Sequence, residues 1–213
     1  MDGDEDDIDG LDAWDEAAVL IAKEIELWSS TLLETPSAQY GDLPPCPYAR
    51  ASWTRHSVLI HVTHSLDSVP EIKAFNPPTR DAVHIVAWTD YAHMTPHALR
   101  AWVAHQNDNN FGVWMHGLHP KSRPKPDMPP YYPPGADDYV ILIMQSFSHL
   151  MEASNRLLCK TDYYKRYPVE SMGLVLKRRD IYDAWKSKVS PTIWEAREEN
   201  ALQDRAEGEE RWH

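Results

Sequence analysis

Apolar residues first recur at helical spacing and then gather into short, strand-length runs. Between residues 12 and 32 they return every three or four positions, which predicts an amphipathic helix capped by Asp12. Further helices are predicted at 95–107, where Thr95 and Pro96 form a start signal, and at 148–160, after Ser148. Runs rich in β-branched and aromatic residues predict strands at 58–64, 83–88, 111–118 and 139–147.

This order of elements predicts one α+β domain, with an antiparallel or mixed sheet of four to five strands and helices on one face. The fifth would be an edge strand at 172–177, followed by helices at 180–188 and from 191. We divide the chain into an acidic tail at 1–12, a domain at 13–189 and a charged C-terminal helix or tail at 190–213. The acidic tail should be disordered because its charges repel one another.

Charge and cysteine content narrow the classes of partner. A net charge of −12 disfavours binding to nucleic acid and to anionic membrane surfaces, and the basic cluster at 177–179 is interpreted as solvated surface. Two cysteines are too few for a disulfide framework, and the chain opens with acidic residues instead of a basic segment before an apolar run. No apolar run is long enough to span a bilayer. We therefore expect a soluble, cytoplasmic protein.

Histidines in the predicted strands carry the candidate chemistry. Side chains alternate across a sheet, so the strand parity turned away from the helices is expected to share one face. Three imidazoles on that face form a known type of catalytic metal site, predicted here as His61, His84 and His116. His119 would act as acid, base or fourth ligand. The alternative is that these histidines are hydrogen-bonded or surface residues.

Other side chains would complete a pocket around such a site. Trp88, Trp114 and Tyr48 are predicted to line a substrate cavity. Cys46 lies among prolines in the rigid segment 43–50, where the nearby Arg50 would lower the thiol pKa and make the thiol reactive. The competing interpretation of Cys46 is a small buried hydrophobe. The proline-rich segment 120–135 is predicted to be a lid, a spacer or a docking segment.

Short motifs resemble an uncharacterised bacterial family that carries a C-P-F-A segment and a strand ending in F-H-P. The matching residues are the C-P-Y-A of 46–49 and the H-P of His119 and Pro120, with Tyr48 and Leu118 departing from the family pattern. The resemblance implies that the Cys46 loop and the His119 strand end belong to one pocket. It implies no reaction, because no activity is established for that family.

These observations predict a metal-dependent oxidoreductase or oxygenase that binds copper, iron or zinc and acts on a small molecule. No nucleotide-binding motif occurs, since the chain lacks G-x-G-x-x-G and P-loop patterns. The alternative is a non-catalytic adaptor that docks on a protein partner through its acidic and proline-rich segments.

Overall fold

The chain folds around one four-stranded sheet. The computed structural model describes residues 8–68, 82–109, 112–122, 133, 138–165, 167 and 169–188. In these ranges the elements follow in the order α1 (Ile8–Trp28), α2 (Ala49–Thr54), β1 (Val58–Thr63), β2 (Val83–Trp88), α3 (Pro96–Asn109), β3 (Val113–Leu118), β4 (Val140–Ser146), α4 (Phe147–Lys160) and α5 (Val169–Lys188). None of these helices is both long and apolar enough to cross a membrane.

The strands lie in the order β1-β2-β4-β3. Strands β1 and β2 run parallel, whereas β4 runs antiparallel to both of its neighbours, β2 and β3. The predicted α+β class with a four-stranded mixed sheet is therefore confirmed. Strands β1 and β3 form the two outer edges of this sheet.

The two faces of the sheet have separate hydrophobic clusters. On the α3 face, Leu99 and Val103 of α3 pack with the strand residues Val86, Met115 and Leu142. On the α1 face, the contacts are made by Ile25, Trp28, Ile85 and Ile141. Helices thus cover both faces, which differs from the one-sided arrangement expected from the sequence.

Strand β3 is held closely against α3 at two points. The buried side chain of Asn107 donates to the Met115 carbonyl at 2.9 Å and accepts from the Met115 amide at 2.8 Å. Two residues further along the strand, a Cβ on Gly117 would meet Val103 at 2.9 Å and Leu99 at 3.2 Å. The Asn107 side-chain amide therefore occupies the main-chain groups that Met115 directs to the outer edge of β3. At position 117, the close approach of α3 requires a residue without a Cβ.

Capping side chains fix the helix starts. The Thr95 hydroxyl accepts from the Ala98 amide at 3.1 Å, as the start signal in the sequence predicted. Helix α4 is capped two residues earlier than expected, because Ser146 accepts from the His149 amide and Ser148 instead bonds to the Ser146 hydroxyl. Helix α4 consequently begins at Phe147, directly after β4.

The structure differs from the sequence-based expectation in two places. The expected edge strand at 172–177 is part of α5, whose inward positions Met172, Val175 and Trp185 keep helical spacing. Helix α1 begins at Ile8, inside the tail expected to be disordered, while residues 1–7 lie outside the described ranges. The predicted C-terminal segment 190–213 and most of the proline-rich segment also lie outside them.

Candidate functional site

The three predicted metal-binding histidines lie on opposite faces of the sheet. The rings of His61 and His84 stack on the α3 face, with centroids 6.0 Å apart. His116 is paired with Ile143, which belongs to the α1 face, so the predicted parity of β3 is wrong. Within the described ranges, no three histidine, cysteine or carboxylate side chains group as ligands for a metal ion.

His119, the predicted acid or base, has both ring nitrogens engaged by the main chain. Its Nε2 lies 2.7 Å from the Met94 carbonyl oxygen, and the Lys121 amide donates to Nδ1 at 3.0 Å. Because a carbonyl only accepts and an amide only donates, the ring is the neutral tautomer with its proton on Nε2. His119 therefore ties the end of β3 to the loop before α3, and neither nitrogen is available to a metal or substrate.

The Cys46 loop is hydrogen-bonded to the segment that follows α1. Cys46 is exposed, and its amide donates to the Leu33 carbonyl at 3.0 Å. Although the residue as a whole is exposed, neighbouring protein atoms desolvate its sulfur, and this desolvation, together with repulsion by Glu34, raises the pKa of the thiol. Arg50, which was expected to lower that pKa, pairs with Glu34 at 3.4 Å instead. The raised pKa does not favour a thiol activated by Arg50, and that role of Cys46 stays a prediction.

The predicted cavity residues are separated in the same way. Trp88 is buried on the α3 face, where its Nε1 donates to the His64 carbonyl at 3.0 Å. Trp114 lies on the opposite face and stacks on Phe147, with centroids 4.9 Å apart. Tyr48 packs in a third cluster with Leu157 and Tyr163. These three side chains therefore do not line one cavity.

A cluster around Arg178 contains the most unusual chemistry among the described residues. We name it the arginine centre and define it as Trp114, His116, Ser154, Tyr164 and Arg178. Arg178 Nη2 donates to the Ser154 hydroxyl at 2.8 Å, and its guanidinium lies 5.9 Å from the centroid of the Trp114 ring. The Tyr164 side chain also hydrogen-bonds Arg178. Strand β3, helices α4 and α5 and the segment between those helices each contribute.

Hydrogen-bond donors dominate the arginine centre. Within the described ranges, the buried atoms Arg178 Nε and Trp114 Nε1 have no acceptor, and no carboxylate pairs with Arg178. Burial lowers the pKa of Arg178, while the neighbouring tyrosines act in the opposite direction. The pKa of His116 falls to about 4, because burial disfavours the imidazolium and Arg178 repels it. His116 is thus neutral at pH 7.

Aromatic side chains hold this cluster in place. Phe147 contacts Trp114 from one side and packs edge-to-face on Tyr182, with centroids 5.1 Å apart. On the side of Tyr164, the Tyr167 hydroxyl donates to the Tyr163 hydroxyl at 3.1 Å, and Tyr163 donates to the Pro45 carbonyl. Burial raises the pKa of Tyr167, so its phenol stays protonated as a donor.

The sequence contained a usable signal for Arg178 that the interpretation of 177–179 as surface missed. Helical spacing from Val175 through Arg178 to Trp185 places the arginine on the inward side of α5, whereas Lys177 and Arg179 are exposed. An arginine on the apolar stripe of a helix is unusual enough to mark a candidate site. No comparable signal identifies Trp114 and His116 as its neighbours.

Comparison with known proteins adds no family to this geometry. No protein-family model, no curated protein and no solved structure matches the chain. The resemblance through the C-P-Y-A and H-P motifs stays a prediction. Its implication of a common pocket finds no support in the packing, because Tyr48 packs with Tyr163 whereas His119 packs against Tyr91.

Proposed function

We propose that this protein binds a small anionic molecule through the arginine centre. The observation that carries the proposal is the pair of buried donors, Arg178 Nε and Trp114 Nε1, that lack an acceptor among the described residues. A buried donor without a partner costs about 1–3 kcal/mol, and more when the group is charged. A ligand oxygen at this position would remove that cost.

The charge of Arg178 favours an anion over a neutral acceptor. Its guanidinium is bonded only to neutral oxygens in the described ranges, those of Ser154 and Tyr164. A buried cation is normally paired with a carboxylate, because desolvating an unpaired ion costs several kcal/mol. A carboxylate or phosphate group would supply the missing negative charge and accept from the planar guanidinium.

The overall charge of the chain limits the size of the ligand. A net charge of −12 repels polyanions, so a nucleic acid or a polyphosphate would meet an unfavourable field. The electrostatic repulsion is much weaker for a ligand with a single carboxylate or phosphate. Neutral His116 can add one hydrogen bond as donor or acceptor without changing the charge of the site.

Titration with small anions tests this function. We expect inorganic phosphate or acetate, added at constant ionic strength, to shift the Trp114 indole N–H resonance in a saturable manner. Arg178→Met should abolish saturation for both anions. The two anions distinguish the ligand sources, because preference for phosphate indicates a phosphorylated ligand and preference for acetate a carboxylic acid.

Arg179→Met is the matched control, since Arg179 is the exposed neighbour on the same helix. This variant removes the same charge and should keep the saturable shift. Shifts that never saturate, or equal loss in both arginine variants, would show only general electrostatic attraction and would refute a specific site.

A metal-dependent oxidoreductase remains a second candidate, now supported by His61 and His84 alone. Their parallel rings lie on one sheet face, 6.0 Å apart, and imidazoles bind copper, iron and zinc. Elemental analysis of the purified protein beside a His61→Ala, His84→Ala double variant tests this hypothesis. Stoichiometric metal that disappears in the folded variant would support it, and protein that stays metal-free after incubation with each ion would exclude it.

The proposal also includes the place where the protein acts. Both cysteines, Cys46 and Cys159, are free thiols, which suits the reducing cytoplasm predicted from the sequence. The ligand would then be a cytoplasmic metabolite with one acidic group. Fractionation of the source cells followed by immunodetection of the protein tests the location.

A further inference from the structure

In the part of the chain that the structure describes, the outer edge of β1 has main-chain groups that no hydrogen bond engages. The carbonyls of Ser57 and Thr63 accept from the Val83 and Thr89 amides of the neighbouring chain segment at 2.8 and 3.0 Å. In a parallel pair, alternate residues direct both main-chain groups to the same side. The amides and carbonyls of the intervening residues therefore point away from the sheet. These residues are Val58, Ile60 and Val62.

Nothing in the described ranges bonds to these outward groups. The hydrogen bonds of the described residues include none to the main chain of Val58, Ile60 or Val62 beyond the sheet itself. The opposite edge of the sheet differs, because Asn107 occupies both main-chain groups of Met115 on β3. Among the described residues, a side chain thus bonds the middle of the β3 edge, while no comparable bond is made at the β1 edge.

Among the described residues, strand β1 also lacks the features that keep edge strands from pairing. Soluble proteins protect such edges with lysine, proline, bulges or covering elements. The six residues of β1 read VLIHVT, with no lysine, acidic residue or proline, and their pairing with β2 is unbroken. Leu59 is 41% exposed on this strand, although a leucine gains by burial.

We propose that two copies of this protein associate by antiparallel pairing of their β1 strands about a two-fold axis at Ile60. The outward groups of Ile60 then bond to those of Ile60 in the second copy, and Val58 pairs with Val62. Such an interface is self-complementary, as a two-fold dimer requires. The two sheets become one continuous sheet that leaves the β3 edges outermost, where Asn107 already bonds the outward main-chain groups of Met115.

The side chains of β1 are compatible with this register. In it, Leu59 lies opposite His61 of the second copy on the α3 face, while the residues bordering the α1 cluster continue that cluster across the axis. No two charged groups meet, because the strand contains no lysine, arginine or acidic residue and its one histidine lies opposite Leu59. The pairing therefore buries apolar surface and satisfies main-chain groups without charge repulsion.

Sedimentation equilibrium of the full chain and two lysine variants tests the dimer. The wild type should be dimeric, and Leu59→Lys should weaken self-association by at least about tenfold, because it loses apolar burial and brings two cations near the axis. Leu158→Lys is the matched control, since Leu158 on α4 is 40% exposed. It should self-associate like the wild type.

Amide hydrogen exchange locates the contact within the same samples. In the dimer the Ile60 amide should exchange more slowly as protein concentration rises, and Leu59→Lys should remove that dependence. A wild type that stays monomeric at millimolar concentration would overturn the proposal. So would a dimer that both lysine variants keep, or one in which the Ile60 amide remains unprotected. Circular dichroism checks that each variant is folded.

Discussion

His116 and His119 lie on the same strand and its exit, yet they have opposite surroundings. His119 is buried at the α3 face, and both of its ring nitrogens are bonded to the main chain. These bonds fix one tautomer and leave neither nitrogen to bind a ligand. His116 lies half-buried on the α1 face beside Arg178, a cation with no carboxylate among the described residues. The hydrogen bonds of His119 are therefore complete within the fold, whereas His116 lies among donors that have no acceptor in the described residues.

The difference extends to the residues around each histidine. On the α3 side, Asn107 satisfies both main-chain groups of Met115, and Gly117 lets α3 approach the strand. On the α1 side, Arg178 and Trp114 bury donors that the described residues leave unmatched. Polar groups that complete a fold are paired within it, whereas unmatched ones suggest a role in binding. Mutations on the two sides should therefore change different observables.

Asn107→Ala should give the largest loss of stability. It leaves a buried amide and a buried carbonyl of β3 without partners, which we expect to lower the free energy of unfolding by about 2–5 kcal/mol. Urea denaturation measures the change. Asn109→Ala on the same helix is the control, because Asn109 is exposed and bonds only within its own helical turn. Equal losses in both variants would contradict the role assigned to Asn107.

Gly117→Ala should follow in size. Its Cβ would meet Val103 and Leu99 closer than van der Waals contact, so we expect a loss of about 1–3 kcal/mol from overpacking. Gly173→Ala should change stability in the opposite direction. Gly173 lies in α5 with open space around it, so an alanine there should raise the free energy of unfolding by about 0.5–1 kcal/mol through its helix propensity. If Gly117→Ala is neutral, α3 does not lie as close to β3 as described.

The two histidines should separate stability from binding. His119→Ala loses two main-chain hydrogen bonds and should cost about 1–3 kcal/mol of stability while leaving anion binding unchanged. His116→Ala should change stability by less, about 0.5 kcal/mol as for a partly exposed neutral residue, and weaken anion binding. Denaturation and the Trp114 resonance titration measure the two effects. A reversed pattern would remove the distinction between the sides.

Periodicity was enough to predict most of the fold. The strands near 58, 83, 113 and 140 and the helix starting at Thr95 were recognisable because their apolar runs and caps depend on neighbouring residues only. Residues 172–177 were misassigned to a strand, since a short apolar run fits both kinds of element. The continuing helical stripe to Trp185 was the better guide.

The site could not be predicted in the same way. Both parities of β3 are apolar, with Val113 and Met115 on one side and Trp114 and Leu118 on the other, because helices cover both faces of the sheet. The parity of one strand relative to another depends on long-range pairing, which local pattern does not encode. His116 was therefore assigned to the face of His61, and its actual neighbour, Arg178, is distant in sequence.

The titration of His116 tests the side of the comparison that depends on charge. Its pKa is lowered from 6.5 to about 4 by burial and by the Arg178 cation. Because the unfolded chain binds the proton more readily, stability should fall as the pH drops from 6.5 toward 4. Arg178→Met removes the repulsion, so the pKa should rise but remain below 6.5 while burial persists. NMR titration of the imidazole protons measures both values. An unchanged pKa in Arg178→Met would mean that the cation does not act on His116, and the two residues would not form one centre.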